Sequence, residues 1–369
     1  DALLILDGGK CEVGIESSIV DCTRGVPVLL RPGQISRNQI EQACGFKLVS
    51  PETLNSEAPR ASGTLESHYA PTAKVRLMST ADWQKALEAL GHRTELVPVK
   101  SEGDLKLDKP LYALGITGVF TKVLDIALLE GKIDIAVHSM KDVPTQLAVG
   151  LEALAVLPRA STLDVLVHKG DRLNKPQRTI ATSSLRRKAQ WLAKYPNDIV
   201  VDIRGNVPTR LQKLQDSDWD GAIFAQAGLE RLGLAPEFVE PLTWMLPAPA
   251  QGAVVVLGRQ DQRQIAQTLR QISDADTERC TWVERQFLRT LEGGCTAPIG
   301  ALAQIEGDQL LFKGCVHALD GSQLYEVTEA FGKTDRYDMG CKAATELLAQ
   351  GADDLIAQIK RQMRQTTQE

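Results

Sequence analysis

Apolar residues recur along this chain in two rhythms, and the change between them divides it. From Met78 onward, runs with helical spacing alternate with short β-branched runs, the texture of an α/β fold with a mostly parallel sheet. A helix is expected over Trp83 to Leu90, a strand over Glu95 to Val99, and a helix from Phe120 to Glu130 stopped by Gly131. Strands follow at Ile133 to Val137, Leu151 to Val156 and Val165 to Val167. A second unit begins near Thr179, where TSSLRRKAQWLAK opens a helix with Thr182 and Ser183 as capping residues. Strand Ile199 to Asp202 then delivers IRGNVPTRLQKL into another basic helix start. LPAPAQGAVVVLGR (Leu246 to Arg259) reads as a turn and a strand returning to the first unit, so the two units are discontinuous in sequence. From about Asp274 a third unit is expected, with a helix over Thr277 to Leu291, strands near Ala301 to Ile305, Gln309 to Val316 and Leu324 to Ala330, and a last helix through Gln362. The first stretch differs: strands at Ala2 to Asp7, Ser18 to Asp21 and Val26 to Leu30, a helix over Arg37 to Cys44, then a Pro, Ser, Glu and Gly-rich linker.

Composition narrows the classes. No run approaches the roughly 18 apolar residues of a membrane helix, and a net charge of -5 argues against a general nucleic-acid binder. Seven cysteines, odd in number and without a CxxC, argue against a disulfide framework and against a zinc site. The chain opens DALLILDGGK with neither a basic leader nor an initiator Met, which reads as a cytoplasmic protein cut from something longer.

Chemistry concentrates where strands end. AVHSMKDVPT (Ala136 to Thr145) places Lys141 and Asp142 just beyond an apolar strand, and Pro144 bars an easy helical continuation. Two solvated turn charges would look the same. Arg186, Arg187, Lys188, Arg204 and Arg210 fall at strand ends or helix starts, beside Ser183, Ser184 and Gly205, and AGLERLGL supplies Arg231. Arginine forks there suit carboxylates or phosphates, so a polyanion cleft is favoured over a solvated surface. Cys295 follows Gly293 and Gly294 in a polar loop, which favours a presented thiol over a packed one.

Two resemblances emerge from these motifs. GIESSIVD (Gly14 to Asp21), LLRPGQIS (Leu29 to Ser36) and APRASGTLESHYAP (Ala58 to Pro71) resemble the last part of a threonylcarbamoyl-adenylate synthase domain and its linker, over about the first 77 residues. That resemblance implies that Ser18 and Arg31 face nucleotide and threonine, with His68 and Tyr69 closing over them. The family's earlier basic motif and its SxN motif have no counterpart, so a truncated fragment without activity is expected. GVFTK (Gly118 to Lys122), AVHSMKDVPT, TSSLRRKAQ, IRGNVPTRL, AGLERLGL, LPAPAQGA and LEGGCTAPIG (Leu291 to Gly300) closely resemble hydroxymethylbilane synthase, the porphobilinogen deaminase family, from Met78 to the end.

The second resemblance implies two periplasmic-binding-protein-like α/β domains around a cleft and a small α+β C-terminal domain. The expected boundaries are 1–49 for the truncated fragment, 50–77 for the linker, 78–160 with 245–262 for the first domain, 161–244 for the second and 263–369 for the third. It further implies that four porphobilinogen molecules are deaminated and joined into hydroxymethylbilane. They are added to a dipyrromethane primer held by a thioether to Cys295. Both steps place positive charge on a pyrrole nitrogen, and Asp142 would stabilise it. Lys141, Thr182, Ser183, Ser184, Arg186, Arg187, Arg204 and Gly205 would hold the cofactor. Arg210, Arg231, Lys122 and Gln251 would meet the substrate and the growing pyrrole chain, in a monomer without metal. The alternatives are a periplasmic-type ligand-binding module, or residual threonylcarbamoyl-adenylate synthase activity. The family's usual opening TRxSxLALWQ-type segment is shortened here to AKVRLMSTADWQ, where Arg76 and Ser79 are the nearest residues of the right type. The expectation is a chain that folds as this transferase but primes or turns over poorly.

Overall fold

The computed structural model describes residues 19–21, 27–31, 37–48, 94–95, 121–170, 175–291, 297–333 and 338–368. The chain divides into two compact units, Asp1–Pro71 and Thr72–Glu369. In the first, β1 (Ile19–Asp21) pairs antiparallel with β2 (Val28–Arg31), followed by α1 (Arg37–Cys44), close to the expected positions. Glu41 accepts from the Leu48 amide at 2.9 Å, which ties the chain after α1 back onto the helix. The expected strand at Ala2 to Asp7, the linker, the helix at Trp83 and most of the strand at Glu95 lie outside the described residues.

In the second unit, α2 (Lys122–Leu129) leads through Gly131 to β3 (Ile135–Ser139), a 3-10 turn (Met140–Asp142) and β4 (Leu151–Val156). The strand between β3 and β4 is β10 (Val254–Arg259), antiparallel to both, more than 90 residues later in the chain. A sheet covered on both faces explains why β10 reads VVVL without alternation. Val255 and Leu257 pack with Leu124 and Leu128 of α2. Val256 packs on the other side with Ala266 and Leu269 of α6 (Arg263–Arg270).

The next sheet has the order β7-β6-β8-β5-β9. Its strands are β5 (Asp164–His168), β6 (Thr179–Ala181), β7 (Ile199–Val201), β8 (Gly221–Ala225) and β9 (Val239–Pro241). β6 runs parallel to β7 and β8, whereas β5 is antiparallel to β8 and β9. The expected mostly parallel sheet is therefore a mixed one. Each sheet takes in a strand that crosses from the other, and such a strand enters against the local direction. Helices α3 (Leu185–Lys194), α4 (Val207–Asp216) and α5 (Gln226–Arg231) follow β6, β7 and β8. Trp191 of α3 is buried on one face with Ile180, Leu166 and Ile223. Leu214 of α4 and Leu229 of α5 fill the other with Val165, Val167 and Phe224.

The third layer is an antiparallel meander of β11 (Ile299–Glu306), β12 (Gln309–His317) and β13 (Leu324–Gly332). It packs on α7 (Ala275–Thr290), α8 (Met339–Leu347) and α9 (Asp353–Gln368). Phe287 of α7 stacks edge-on to Phe312 at 5.1 Å over Gly314, where any Cβ would fall 2.4 Å from the Phe287 ring. The single closing helix expected from periodicity is two, parted by Gly351 at φ 104°. The fold is α/β with an α+β C-terminal layer, as the sequence led one to expect.

Candidate functional site

The loops after β3, β6 and β7 and the turn before β10 bring the charged motifs together. Asp164, the first residue of β5, is fully buried and lies at their centre. Arg186 Nη2 lies 2.7 Å from one of its oxygens. Arg187 donates to the other through Nε at 3.1 Å and Nη2 at 2.8 Å. Gln251 Nε2 donates to that same oxygen at 2.9 Å, and Gln251 Oε1 accepts from Lys141 Nζ at 3.3 Å. The two guanidiniums and Lys141 hold the Asp164 carboxyl far below the usual carboxylate range, against the opposing effect of burial.

Arg186 and Arg187 are thus not the open forks the sequence led one to expect. Beyond Asp164, Arg187 donates to the Ile223 carbonyl at 2.8 Å and Arg186 to the Leu246 carbonyl at 2.7 Å. An arginine on a short helix start can turn inward when a buried carboxylate waits beneath it, which residue type alone does not reveal. One donor stays unspent: Arg186 Nε is buried with no hydrogen-bond partner among the described residues.

The hydroxyl residues also differ from expectation. Ser184, not Thr182 or Ser183, caps α3, its oxygen accepting from the Arg187 amide at 3.5 Å. Thr182 Oγ1 accepts from the Ser184 amide. Ser183 exchanges two hydrogen bonds with Ile203, donating to its carbonyl at 2.8 Å and accepting from its amide at 2.9 Å, so it staples the loops after β6 and β7 together. A small cavity of about 40 Å³ lies beside them, lined by Thr182, Ser183, Ser184, Lys188 and Asp202 among others.

Gly205 turns the chain at φ 120°, and its carbonyl accepts from Arg210 Nε at 2.6 Å. Burial, Arg187 and Arg204 weaken the hold of Arg210 on its proton, partly offset by Asp142; it remains a cation at neutral pH. Burial likewise lowers Arg204, with Asp202 opposing. Lys141 is pushed down to about 8 by burial and by Arg187, with Asp142 pulling the other way. Asp142 itself is half-buried at the end of the 3-10 turn. Among the described residues, Asp142, Asp164 and Asp202 are carboxylates that act on Lys141, Arg186, Arg187, Arg204 and Arg210, and so dense a group of cations invites an anion.

Lys122 is exposed at the start of α2 and Arg231 is half-buried at the end of α5. Among the described residues neither is joined to this cluster by a hydrogen bond or ion pair. Cys295, Arg76 and Ser79 lie outside the described residues.

Sequence reasoning missed Asp164, Arg159 and Glu284. Arg159 forms a two-point pair with fully buried Glu284, at 2.7 and 2.9 Å. Glu284 also accepts from the Ala250 and Ala303 amides. It thereby holds Ala250 at φ 62°, a conformation a residue other than glycine rarely adopts. The signal was present: Asp164 heads an apolar strand, and Glu284 interrupts the inward stripe Thr277, Cys280, Val283, Phe287 of α7.

Comparison with known proteins gives the family. Residues 72–267 match the family profile described as "Porphobilinogen deaminase, dipyromethane cofactor binding domain", and residues 278–349 match "Porphobilinogen deaminase, C-terminal domain". The porphobilinogen deaminase of Acidithiobacillus ferrooxidans is 40% identical over 276 residues, covering 73% of this chain and 89% of that protein. That of Desulfitobacterium hafniense is 43% identical over 271 residues, covering 72% and 87%. Among solved structures, an amino acid ABC transporter substrate-binding protein from Streptococcus pneumoniae bound to L-arginine overlaps 51% of this chain and 72% of its own, at 16% identity and a TM-score of 0.31. From two profiles that together span most of its length, and relatives at this level of identity, the chain belongs to the porphobilinogen deaminase family.

Proposed function

We propose that Asp142 is the catalytic carboxylate of a hydroxymethylbilane synthase and that the cations around it are its carboxylate receptors. The chain deaminates porphobilinogen and joins four molecules into hydroxymethylbilane, with dipyrromethane as its cofactor. The observation that carries the residue assignment is the convergence of Lys141, Arg204 and Arg210 on the neighbourhood of Asp142, with Arg186 and Arg187 one layer beneath.

Each pyrrole brings an acetate and a propionate, so the negative charge to be held grows as the chain lengthens. A cluster of five cations suits that load, and the unspent Arg186 Nε offers a buried donor to it. When bound, the dipyrromethane supplies the free pyrrole α-carbon from which the product grows, and Cys295 is its thioether anchor in this reading. Loss of ammonia from porphobilinogen leaves an electrophilic azafulvene, with positive charge on the pyrrole nitrogen. Asp142, fixed on a short turn, accepts from pyrrole N–H groups and stabilises that charge without itself being consumed. Gln251 keeps Lys141 in place from beneath, and Gly205 lets the backbone bring Arg204 and Arg210 to the same side.

We retain the division into a first domain (78–160 with 245–262), a second (161–244) and a third (263–369), of which α6 packs on the sheet of the first. The described cysteines Cys280, Cys315 and Cys341 are free thiols, which supports the reading of a cytoplasmic protein, and we take it to be a monomer. The Ser18 and Arg31 motifs keep their reading as a threonylcarbamoyl-adenylate synthase fragment without activity.

Mass spectrometry of the tryptic peptide containing Cys295 tests the proposal. An adduct of two pyrrole units on active protein is expected. An unmodified peptide from protein that consumes porphobilinogen would overturn the anchor assignment.

A further inference from the structure

The turn that carries Asp142 is held from outside its own sheet. Arg285, on α7 next to Glu284, directs its guanidinium at three successive landmarks of that turn. Nη1 donates to the carbonyls of Met140 at 3.2 Å and Val143 at 2.9 Å, and Nη2 donates to that of Pro144 at 2.6 Å.

These carbonyls need such a partner. At the end of the turn Val143 N–H donates to the Met140 carbonyl at 3.2 Å. A 3-10 segment this short leaves its last carbonyls without intrahelical donors, and Pro144 has no N–H to extend the pattern. A planar fork with several donors satisfies them together, whereas an ammonium would reach fewer at once.

The neighbouring residue does a parallel task. Glu284 binds Arg159 on the segment leaving β4 and the Ala250 amide on the segment entering β10. Two consecutive side chains of one helix therefore grip both crossings between the sheets and the Asp142 turn. Cys295 stands four residues beyond Leu291 in the sequence.

We propose that Arg285 is a positioning residue: it fixes the backbone from which Asp142 projects, so that α7 sets the place of the carboxylate. This rests on the reading of Asp142 as catalytic. Removing the fork leaves the pyrrole-binding cations untouched but lets the carboxylate wander.

The test is a double-variant cycle on the cofactor-loaded enzyme, with Arg285→Leu, Asp142→Glu and the two combined, reading porphobilinogen consumption. A misplacement near 1 Å costs about a hundredfold, so Arg285→Leu is expected to lower kcat by about ten- to a hundredfold while KM stays within about twofold. In the Asp142→Glu background, where the carboxylate is already displaced by a methylene, the further loss should be under about twofold. Arg285→Lys, which keeps the charge and part of the donor set, should fall between wild type and Arg285→Leu. It also carries the comparison if Arg285→Leu does not fold. Equal losses in both Asp142 backgrounds, or a loss confined to KM, would overturn the positioning role while leaving the catalytic reading intact. Wild-type turnover by Asp142→Glu would instead remove the catalytic reading, and the inference with it.

Discussion

Asp142, just past β3, and Asp164, at the head of β5, are carboxylates with opposite circumstances. Asp142 is half-buried on a turn, so Asp142→Ala should abolish porphobilinogen turnover while shifting the thermal midpoint by only a few degrees, within about 1 kcal/mol. Near-normal turnover would mean that it is only a solvated turn charge. The arginines divide in the same way. Arg187→Leu strips a partner from a fully buried carboxylate and should cost about 3 kcal/mol or more in urea unfolding. Arg204→Leu should stall elongation, visible as partly extended chains in native mass spectra. Lys141 supplies a pH signature. It loses its charge as pH rises through about 8, so kcat/KM, which reports the free enzyme, should fall above that pH as carboxylate attraction weakens. A Lys141→Met profile that keeps the same alkaline limb would assign the titration elsewhere.

At the scale of elements, Ser183 and Gly205 make the two βα loops of the second sheet act as one. Ser183 ties its loop to Ile203, and Gly205 sets the start of α4 from which Arg210 reaches back. Gly205→Ala places a Cβ 2.8 Å from Thr209 at φ 120°, a strain of about 1 to 3 kcal/mol. Reduced stability together with weaker binding of the substrate carboxylates is expected. A variant that loses stability alone would uncouple the loop from the site. The elements themselves were largely legible. β4, β5 and α1 follow from their residue patterns to within a residue or so, because burial on a fixed face leaves a period in the sequence. Direction was not legible, since nothing in VVVLGR says which neighbours it will lie between. The inward turn of Arg186 and Arg187 was hidden for a related reason: it depends on Asp164, about twenty residues away in the chain and adjacent only after folding.

Across the whole molecule, the third layer meets the second sheet where β12 and α3 approach, and His317 sits there, 6% exposed. Burial, with Arg186 adding to it, holds its pKa down at about 4. The folded protein keeps His317 neutral while the unfolded chain takes up a proton below about 6.5. Stability from this residue is therefore full above pH 6.5 and is lost as pH falls toward 4, at up to about 1.4 kcal/mol per pH unit. Denaturant titrations of His317→Gln should show a shallower loss between pH 6.5 and 4.5 than wild type, and identical slopes would place the acid sensitivity in the carboxylates.

The position of β10 between β3 and β4 also governs the order in which this protein can be made. On a ribosome, β3 and β4 emerge early with a gap between them that only residues 254–259 can fill. The whole second sheet is synthesised in the interval. Its antiparallel and parallel pairings can form while the facing edges of β3 and β4, among the described residues, wait for β10, the kind of surface that recruits other chains. Completion of the earlier sheet thus waits until the strand that follows the second sheet has been made. Translation pauses placed after Arg259 rather than before Val254 should therefore favour soluble product.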